Sequence, residues 1–573
     1  MSTSSSQVAS WQMDRRILRL ALPNILTNIT VPLLGIVDLA LAGHLSEASA
    51  IAGVAIATTI FNLIYWNFSF LRMGTTGLTA QAHGAGDERA MGVNLGQSLF
   101  IGLTFGLAIL LLQRPILQLN FLILRPESQL RVFASTYYNI VIWGAPAILA
   151  TYALNGWIIG MQNTWWPMVV SIISNVTNIA TSATLVLAYH WEVEGLATGT
   201  LVAQWLGALL LAAGAWVLFI RKQKVTLPRR FGDLTHGIRR YFDTNIHIYL
   251  RTMLIALVSL FFTYVGTREG AMVLAANALL YQFFTFFSYF IDGFAFAAEA
   301  LVGHFYGQRD RASVRHAIRL LMRWGLALAL VVTVVYLLGA RPFLGFLTDK
   351  PEVIAVAERY LIWVYLIPLA GFAAFIYDGI FIGVTATRKM LFGMIVAVVV
   401  FLGLFYIAPI RLLNGTADPI IHLWFAFLLY LAVRGVVFWI MADRLEGIGK
   451  PFAQRYYVLV GSTHLDEEQQ IRQALREEWG RRGVLSPFYL TYENGAEEGG
   501  RQYINAVLQL QSGKSLEELR TDTKRIERAY GRRVGDKVDV ALDLDIVVCE
   551  GEVLRPADYE TSYFQRGYRY FTF

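Results

Sequence analysis

The chain has 573 residues, of which 56% are hydrophobic and only 16% charged, with a formal net charge of +7. Soluble domains carry roughly a quarter charged residues, so these figures exclude an ordinary soluble protein. The charge is also unevenly spread. Residues 451–573 hold 17 basic and 20 acidic groups, whereas residues 1–450 hold 31 and 21. The basic excess lies in loops flanking apolar segments, as the positive-inside rule produces, and does not mark a nucleic-acid partner. The single cysteine, Cys549, excludes an intrachain disulfide and a cysteine-rich metal site.

Residues 1–16 are polar, and no small-residue cleavage site follows a short apolar core, so the start does not read as a signal peptide. Twelve apolar stretches long enough to cross about 30 Å of hydrocarbon follow. They are 17–42, 48–71, 92–113, 133–159, 167–189, 194–220, 247–267, 271–303, 316–338, 357–383, 388–410 and 420–443. None shows the period-two alternation of barrel strands, so all are predicted helices. With the N-terminus inside, the cytoplasmic loops hold 17 Lys and Arg against 7 on the other side. Both termini and the tail are therefore expected in the cytoplasm.

The first half repeats in the second. Gly84-Ala85-Gly86-Asp87 after the second predicted helix matches Gly307-Gln308-Arg309-Asp310 after the eighth, 223 residues later. Asn155-Gly156 and Gly160, at the end of the fourth helix, match Asp378-Gly379 and Gly383 at the end of the tenth at the same offset, and Thr164 and Thr387 keep it. Six helices per repeat is an even number, so the halves share one orientation about an axis along the membrane normal. That is a layout in which substrate binds between two rocking lobes. The expected division is a first lobe at 14–225, a second at 226–450 and a tail domain at 451–573.

The segments TNITVPLLGIVDLALAGHL (27–45), LRMGTTGLTAQAHGAGD (71–87), YFIDGFAFAAEALVGHFYGQRD (289–310) and YDGIFIGVTATRKM (377–390) resemble the multidrug and toxic compound extrusion (MATE) family, closest to its DNA-damage-inducible protein F branch. The resemblance covers about residues 14–445. It implies an all-α fold of twelve helices in two six-helix lobes around a central cavity. It also implies export of organic, often cationic, small molecules in exchange for H⁺ or Na⁺, with no cofactor for transport. The expectation is a monomer, multi-pass in the lipid bilayer of a bacterial inner membrane.

Ionisable groups inside a bilayer are costly and mark function by default. Asp38, Asp292, Glu299 and Asp378 stand out within the predicted spans. Asp38 lies mid-helix in GIVDLALAG with no basic residue within a turn, which suits either a proton carrier or a polar anchor at a helix kink. The resemblance makes it the coupling group of the first lobe. Many relatives carry a second Asp on the fifth helix; here that position is Ser182, leaving Asn175, Asn178 and Thr181 to bond Asp38 or hydrate a cation. A single carboxylate favours H⁺ over a Na⁺ cage, which needs several oxygen ligands. By resemblance Asp378 belongs to a second-lobe cation site, though it sits near a helix end and lacks an acidic partner on the seventh helix, which offers Arg251 instead. Asp292 and Glu299, seven apart, share a helix face and either serve a cationic substrate or are satisfied by Arg251 and nearby backbone. Met253 and Tyr281 suit an adaptable apolar cavity, alongside Phe283, Phe284 and Phe287.

In the tail, apolar strands alternate with amphipathic helices in a β-α-β-β-α-β order, which predicts a ferredoxin-like α+β domain. GST (461–463), QYINAV (502–507), RIE (525–527), GR (531–532) and LDLDIVV (542–548) resemble 6-hydroxymethyl-7,8-dihydropterin pyrophosphokinase. The resemblance implies that Asn505 contacts the pterin and that Asp543 and Asp545 hold Mg²⁺ for ATP. Two carboxylates at i, i+2 on a strand share one face and can bridge metals on phosphate oxygens. Key positions depart from that family: its catalytic Arg is Val540, its GSN Asn is Thr463, and its lid is replaced at 493–498. Lys537, Arg532 and Arg533 are the nearby cations that can substitute. The expectation is a degenerate domain.

Three function classes remain: a cation-coupled antiporter, a transporter with an active pterin kinase, and a flippase for lipid-linked precursors. The last needs a hydrated basic cavity, and basic residues read as scarce inside the spans.

Overall fold

The computed structural model describes residues 2–43, 47–223, 225–228, 231–235, 238–407, 418–492, 502–532 and 540–572. The chain divides into two compact units, Met1–Asp443 and Arg444–Phe573.

The first unit is helical. Its first half contains α1 (Ser2–Ala42), α2 (Ala48–Trp66), α3 (Phe70–Ala85), α4 (Glu88–Leu111) and α5 (Gln113–Leu124). It continues with α6 (Ser128–Val141), α7 (Ala145–Gly160), α8 (Trp165–Ala183) and α9 (Val193–Gly214). Short helices α10 (Arg221–Gln223) and α11 (Phe231–Thr235) precede the second half. That half contains α12 (Ile238–Arg268), α13 (Ala271–Gly307), α14 (Arg311–Leu347), α15 (Pro351–Glu358), α16 (Leu361–Gly383), α17 (Thr387–Ile407) and α18 (Pro419–Ala442).

Among the described residues eleven helical stretches are long and apolar enough to cross a membrane, and α1 is a further long helix of 41 residues. Leu338 is 80% exposed and Phe346 79% exposed, a surface that hydrocarbon solvates and water does not. The second expected helix is two: α2 and α3 are separated by a turn at 67–69, where the Asn67 amide donates to the Leu63 carbonyl at 2.5 Å.

The repeat is written in the backbone. Asp87 caps α4 at φ −84°, ψ 89°, and Asp310 caps α14 at φ −86°, ψ 88°. Their carboxylates accept from Ala90 N at 2.8 Å and Ser313 N at 3.0 Å. Left-handed residues recur in the same places, Gly86 and Arg309 (φ 69° and 57°), then Gln162 and Thr385 (φ 61° and 53°). Glycine meets that backbone without strain in the first half; Arg309 adopts it at a cost of about 1–2 kcal/mol.

The two halves meet where α3 crosses α13. A Cβ on Gly84 would overlap the His304 carbonyl oxygen, and one on Gly307 would overlap the Gln81 carbonyl oxygen. These two contacts exchange under the 223-residue offset, so the seam is reciprocal. The His83 and His304 rings lie 4.9 Å apart beside it. Gln81 Nε2 donates to Gly383 O at 2.8 Å, and Arg240 donates to Gln81 Oε1 at 3.1 Å. The lobes are closed at this end.

The second unit is a six-stranded sheet. Its elements are β1 (Gln454–Ser462), α19 (Glu468–Trp479), β2 (Gly483–Leu485), β3 (Tyr489–Tyr492), β4 (Gln502–Ser512) and α20 (Leu516–Ala529). They continue as β5 (Asp543–Cys549), β6 (Glu552–Val553), α21 (Pro556–Tyr559) and α22 (Ser562–Thr572). The antiparallel order is β2-β4-β1-β5-β6, with β3 also on β4. Alternation along β1 sends Tyr456, Val458 and Val460 to α19 and α20, where Ile471, Leu475, Leu519 and Ile526 are buried. Tyr457 and Leu459 face the other way, onto Phe564 of α22. The sequence expectation holds two helices; α22 covers a second sheet face.

Candidate functional site

A cavity of about 250 Å³ lies in the first unit, with one wall from α2, the turn at 67–69 and α3 (Trp66, Ser69, Met73) and the rest from α12, α13, α16 and α18. Tyr281, Phe284, Phe427 and Phe375 make it aromatic. Of the sequence-predicted residues, Tyr281, Asp292, Glu299 and Asp378 line it, and Met253 does not.

Three arginines dominate its electrostatics. Arg251 of α12 and Arg434 of α18 both donate to Oδ2 of Asp378. All three are buried, at 7%, 2% and 4% exposure. The Arg434 guanidinium also lies 5.4 Å from the Phe375 ring centroid. Arg72 of α3 reaches Glu299 Oε2 of α13 at 3.2 Å and sits 3.9 Å over the Phe296 ring. Asp292 lines the same cavity and is in no ion pair among the described residues. Unpaired buried charges cost several kcal/mol each in apolar surroundings, so stranding one partner of the Asp378 clamp or of the Arg72–Glu299 pair is costly, and Asp292 is the cavity carboxylate with no guanidinium bonded to it among the described residues.

Basic residues are thus not scarce inside the spans, contrary to the sequence reading. Arg72 in FLRMGTTG and Arg434 in LAVRGVV are intramembrane charges as legible in the sequence as the carboxylates they face.

In the first lobe, Asp38 belongs to α1, and its side chain lies outside the described residues. Asn178 of α8 is buried, donates to Thr200 Oγ1 of α9 at 3.3 Å and accepts from Ser182 Oγ at 3.4 Å. Ser182 is fully buried against Gly199. Asn175 and Thr181 are half-buried on the same helix.

In the second unit Asp543 and Asp545 lie on β5, two residues apart. Neither is open. Arg532 pairs with Asp543 and, at 3.2 Å, with Glu527. Arg555 pairs with Asp545 and, at 2.9 Å, with Asp558. Burial, together with the neighbouring Asp543 charge, pushes the Asp545 carboxyl above the usual range. Among the described residues no cluster of three or more His, Cys, Asp or Glu forms a cation cage. In this arrangement each of the two carboxylates is engaged by a guanidinium group that Mg²⁺ would have to displace. Thr463 is tied to Val540, donating to its carbonyl at 3.1 Å and accepting from its N–H at 2.9 Å, and Asn505 donates to Thr491 Oγ1 at 2.5 Å. Arg533 and Lys537 lie outside the described residues.

Comparison with known proteins matches the MatE family over residues 23–184 and 248–407, one stretch in each lobe. Residues 457–565 match 7,8-dihydro-6-hydroxymethylpterin-pyrophosphokinase. The chain is 36% identical over 424 residues to DNA damage-inducible protein F of Escherichia coli (strain K12), covering 74% of this chain and 90% of that one. It is 24% identical over 366 residues to a probable multidrug resistance protein NorM of Thermotoga maritima, covering 61% and 75%. An outward-facing structure of a multidrug resistance MATE family transporter superposes with a TM-score of 0.66 at 19% identity, over 75% of this chain and 95% of that one. The paired lobes, the cavity between them and these matches together place the chain in the MATE family, as a multi-pass membrane transporter of small molecules followed by a domain of the pterin-pyrophosphokinase type.

Proposed function

We propose that the protein is a proton-coupled antiporter that exports amphipathic organic cations from the cytoplasm across a bacterial inner membrane, as a monomer with both termini inside. The observation that carries this reading is Asp292: a carboxylate in an aromatic cavity, in no ion pair among the described residues while its neighbours Glu299 and Asp378 are held by arginines. A proton and an organic cation compete for such a group, and competition for one site is what exchange requires. Asp38 of α1 is the second coupling carboxylate in this reading. Ser182, where the family resemblance implies an acid, offers Na⁺ a neutral hydroxyl in place of a carboxylate. Efflux from energised vesicles, with the pH and Na⁺ gradients collapsed separately, tests it: transport should stop with the pH gradient and continue without Na⁺. Transport that requires Na⁺ at a fixed pH gradient overturns the proton assignment.

Arg251 and Arg434 in the cavity wall, with Arg72 beside it, revive the flippase reading, since a basic chamber suits a phosphorylated lipid. Three carboxylates balance them, however, so the chamber has no net positive charge, and the antiporter is the better fit. For the second unit the reading is a binding domain without turnover. Transfer of a pyrophosphoryl group requires charge neutralisation on the transferring phosphates, and Arg532 and Arg555 are each held by two carboxylates. Full-length protein given ATP, Mg²⁺ and hydroxymethyl-dihydropterin should form no product; turnover lost in Asp543→Ala would overturn this.

A further inference from the structure

Arg72 and Glu299 stand on different lobes, α3 and α13, and their 3.2 Å pair crosses the interface beside the cavity. Neither charge has a charged counterpart in the repeat: the equivalent positions are Ala295 and Thr76. The pair is therefore an addition to the two-fold plan, not a product of it. Glu299 is buried and the Arg72 side chain is 13% exposed, so parting the lobes here would strand a guanidinium and a carboxylate in largely apolar surroundings unless one is neutralised or finds a new partner. The structure supplies both exits. Glu299 lines the cavity, where a proton can reach it. Arg72 has a second carboxylate within electrostatic reach, Asp292 on the same face of α13. Phe296 sits between the two on that face, with the guanidinium 3.9 Å over its ring, so the cation can pass from one carboxylate to the other without losing favourable contact.

We propose, on the strength of the antiport reading, that Arg72 is a positioning residue that ties the seam between the lobes to the protonation of Glu299. While Glu299 is charged, Arg72 binds it and the end carrying Gly84 and Gly307 stays shut. A proton arriving through the cavity adds to the Glu299 carboxylate, the ion pair breaks, and Arg72 moves to Asp292. The seam then opens. The charged groups that face Glu299 are Arg72 of α3, Asp292 of α13, Arg251 of α12 and Asp378 of α16. Arg434 of α18 is engaged with Asp378. The clamp on Asp378 keeps Arg251 and Arg434 out of the exchange, which leaves Arg72 as the mobile cation.

The test is hydrogen–deuterium exchange of residues 76–87 and 299–310 in full-length protein in lipid nanodiscs, corrected for the intrinsic pH dependence of exchange. Wild-type seam peptides should lose protection on acidification by about tenfold. Glu299→Gln, which copies the protonated carboxyl, should be unprotected at every pH. Arg72→Lys, which keeps the cation, should retain the pH response, and the Arg72→Gln/Glu299→Gln double variant should be no worse than Glu299→Gln alone. A wild-type response that survives in Glu299→Gln overturns the latch and leaves the antiport reading standing. Absence of any wild-type response overturns the proton reading and the latch with it. Should Glu299→Gln fail to insert, Arg72→Gln carries the same prediction, and a normal pH response in it overturns the latch.

Discussion

The two lobes share a backbone and differ in charge. Along the segments that pack most closely, Ser69, Thr76 and Asn155 in the first lobe stand where Asp292, Glu299 and Asp378 stand in the second. The glycines between them are kept: Gly156 lies on the Arg72 carbonyl and Gly379 on the equivalent Ala295 carbonyl. Close helix packing is thus held by symmetry, while at these matched positions the ionisable groups stand in one copy. A duplicated fold needs both halves to rock, which constrains the backbone twice, but one set of carboxylates can serve a cavity that both halves share. The described residues place that set in the second lobe, with Arg72 as the first lobe's contribution.

The sharpest way to break this comparison is to cut matched positions. Asp378→Ala leaves Arg251 and Arg434 buried without a counter-ion, and the loss should be about 3–5 kcal/mol. Asn155, its equivalent, has a buried side-chain oxygen that accepts no hydrogen bond, so Asn155→Ala should cost no more than about 1 kcal/mol. Thermal unfolding of the two variants in detergent measures the difference; equal shifts would mean that the clamp contributes nothing beyond the hydrogen bonds of an amide. The seam should behave in the opposite way. Gly84→Val and Gly307→Val each place a side chain on a carbonyl of the other lobe, so each should reduce efflux by about tenfold or more, to a similar extent. A large inequality would show that the seam is not reciprocal in function.

How much of this was legible beforehand depends on which physics wrote it. Turn glycines, N-caps and helix-ending motifs are local, so the 223-residue repeat, the membrane helices and the strand pattern of the tail could be read directly. The break at 67–69 could not, because an apolar run carries no mark of a bend set by packing. Arg72 and Arg434 were visible as intramembrane charges, but their partners lie 227 and 56 residues away, and no local spacing encodes that. The same is true of Asp543 and Asp545: their pairing as a motif is local, whereas their capture by Arg532 and Arg555 depends on how the chain returns to β5. Helix α22 escaped because SYFQRGYRYF is amphipathic but short, and its apolar face is recognised only once the sheet exposes a second side.

The smallest expected effect tests the part of the comparison in which the lobes are alike. Asp87 and Asp310 cap equivalent helices with nearly identical backbone angles and the same acceptor geometry. Replacing an N-cap aspartate with alanine leaves the N–H it served without that partner and typically costs about 1 kcal/mol, so Asp87→Ala and Asp310→Ala should destabilise to a similar degree at neutral pH. Hydrogen bonds from Ser313 hold the Asp310 carboxyl below its ordinary range. A carboxylate whose folded value is depressed contributes stability above its unfolded value, near 4, and loses it as pH falls through the folded value. The penalty of Asp310→Ala should therefore be constant from neutral pH down to about 5 and shrink on further acidification, whereas Asp310→Asn, which keeps an oxygen acceptor but cannot titrate, should lose less at neutral pH and show a flatter acid limb. Unfolding midpoints of the three proteins between neutral pH and the acid limit decide it: a penalty that grows on acidification would show that the carboxylate is opposed by its surroundings, and the two caps would then be alike in geometry only.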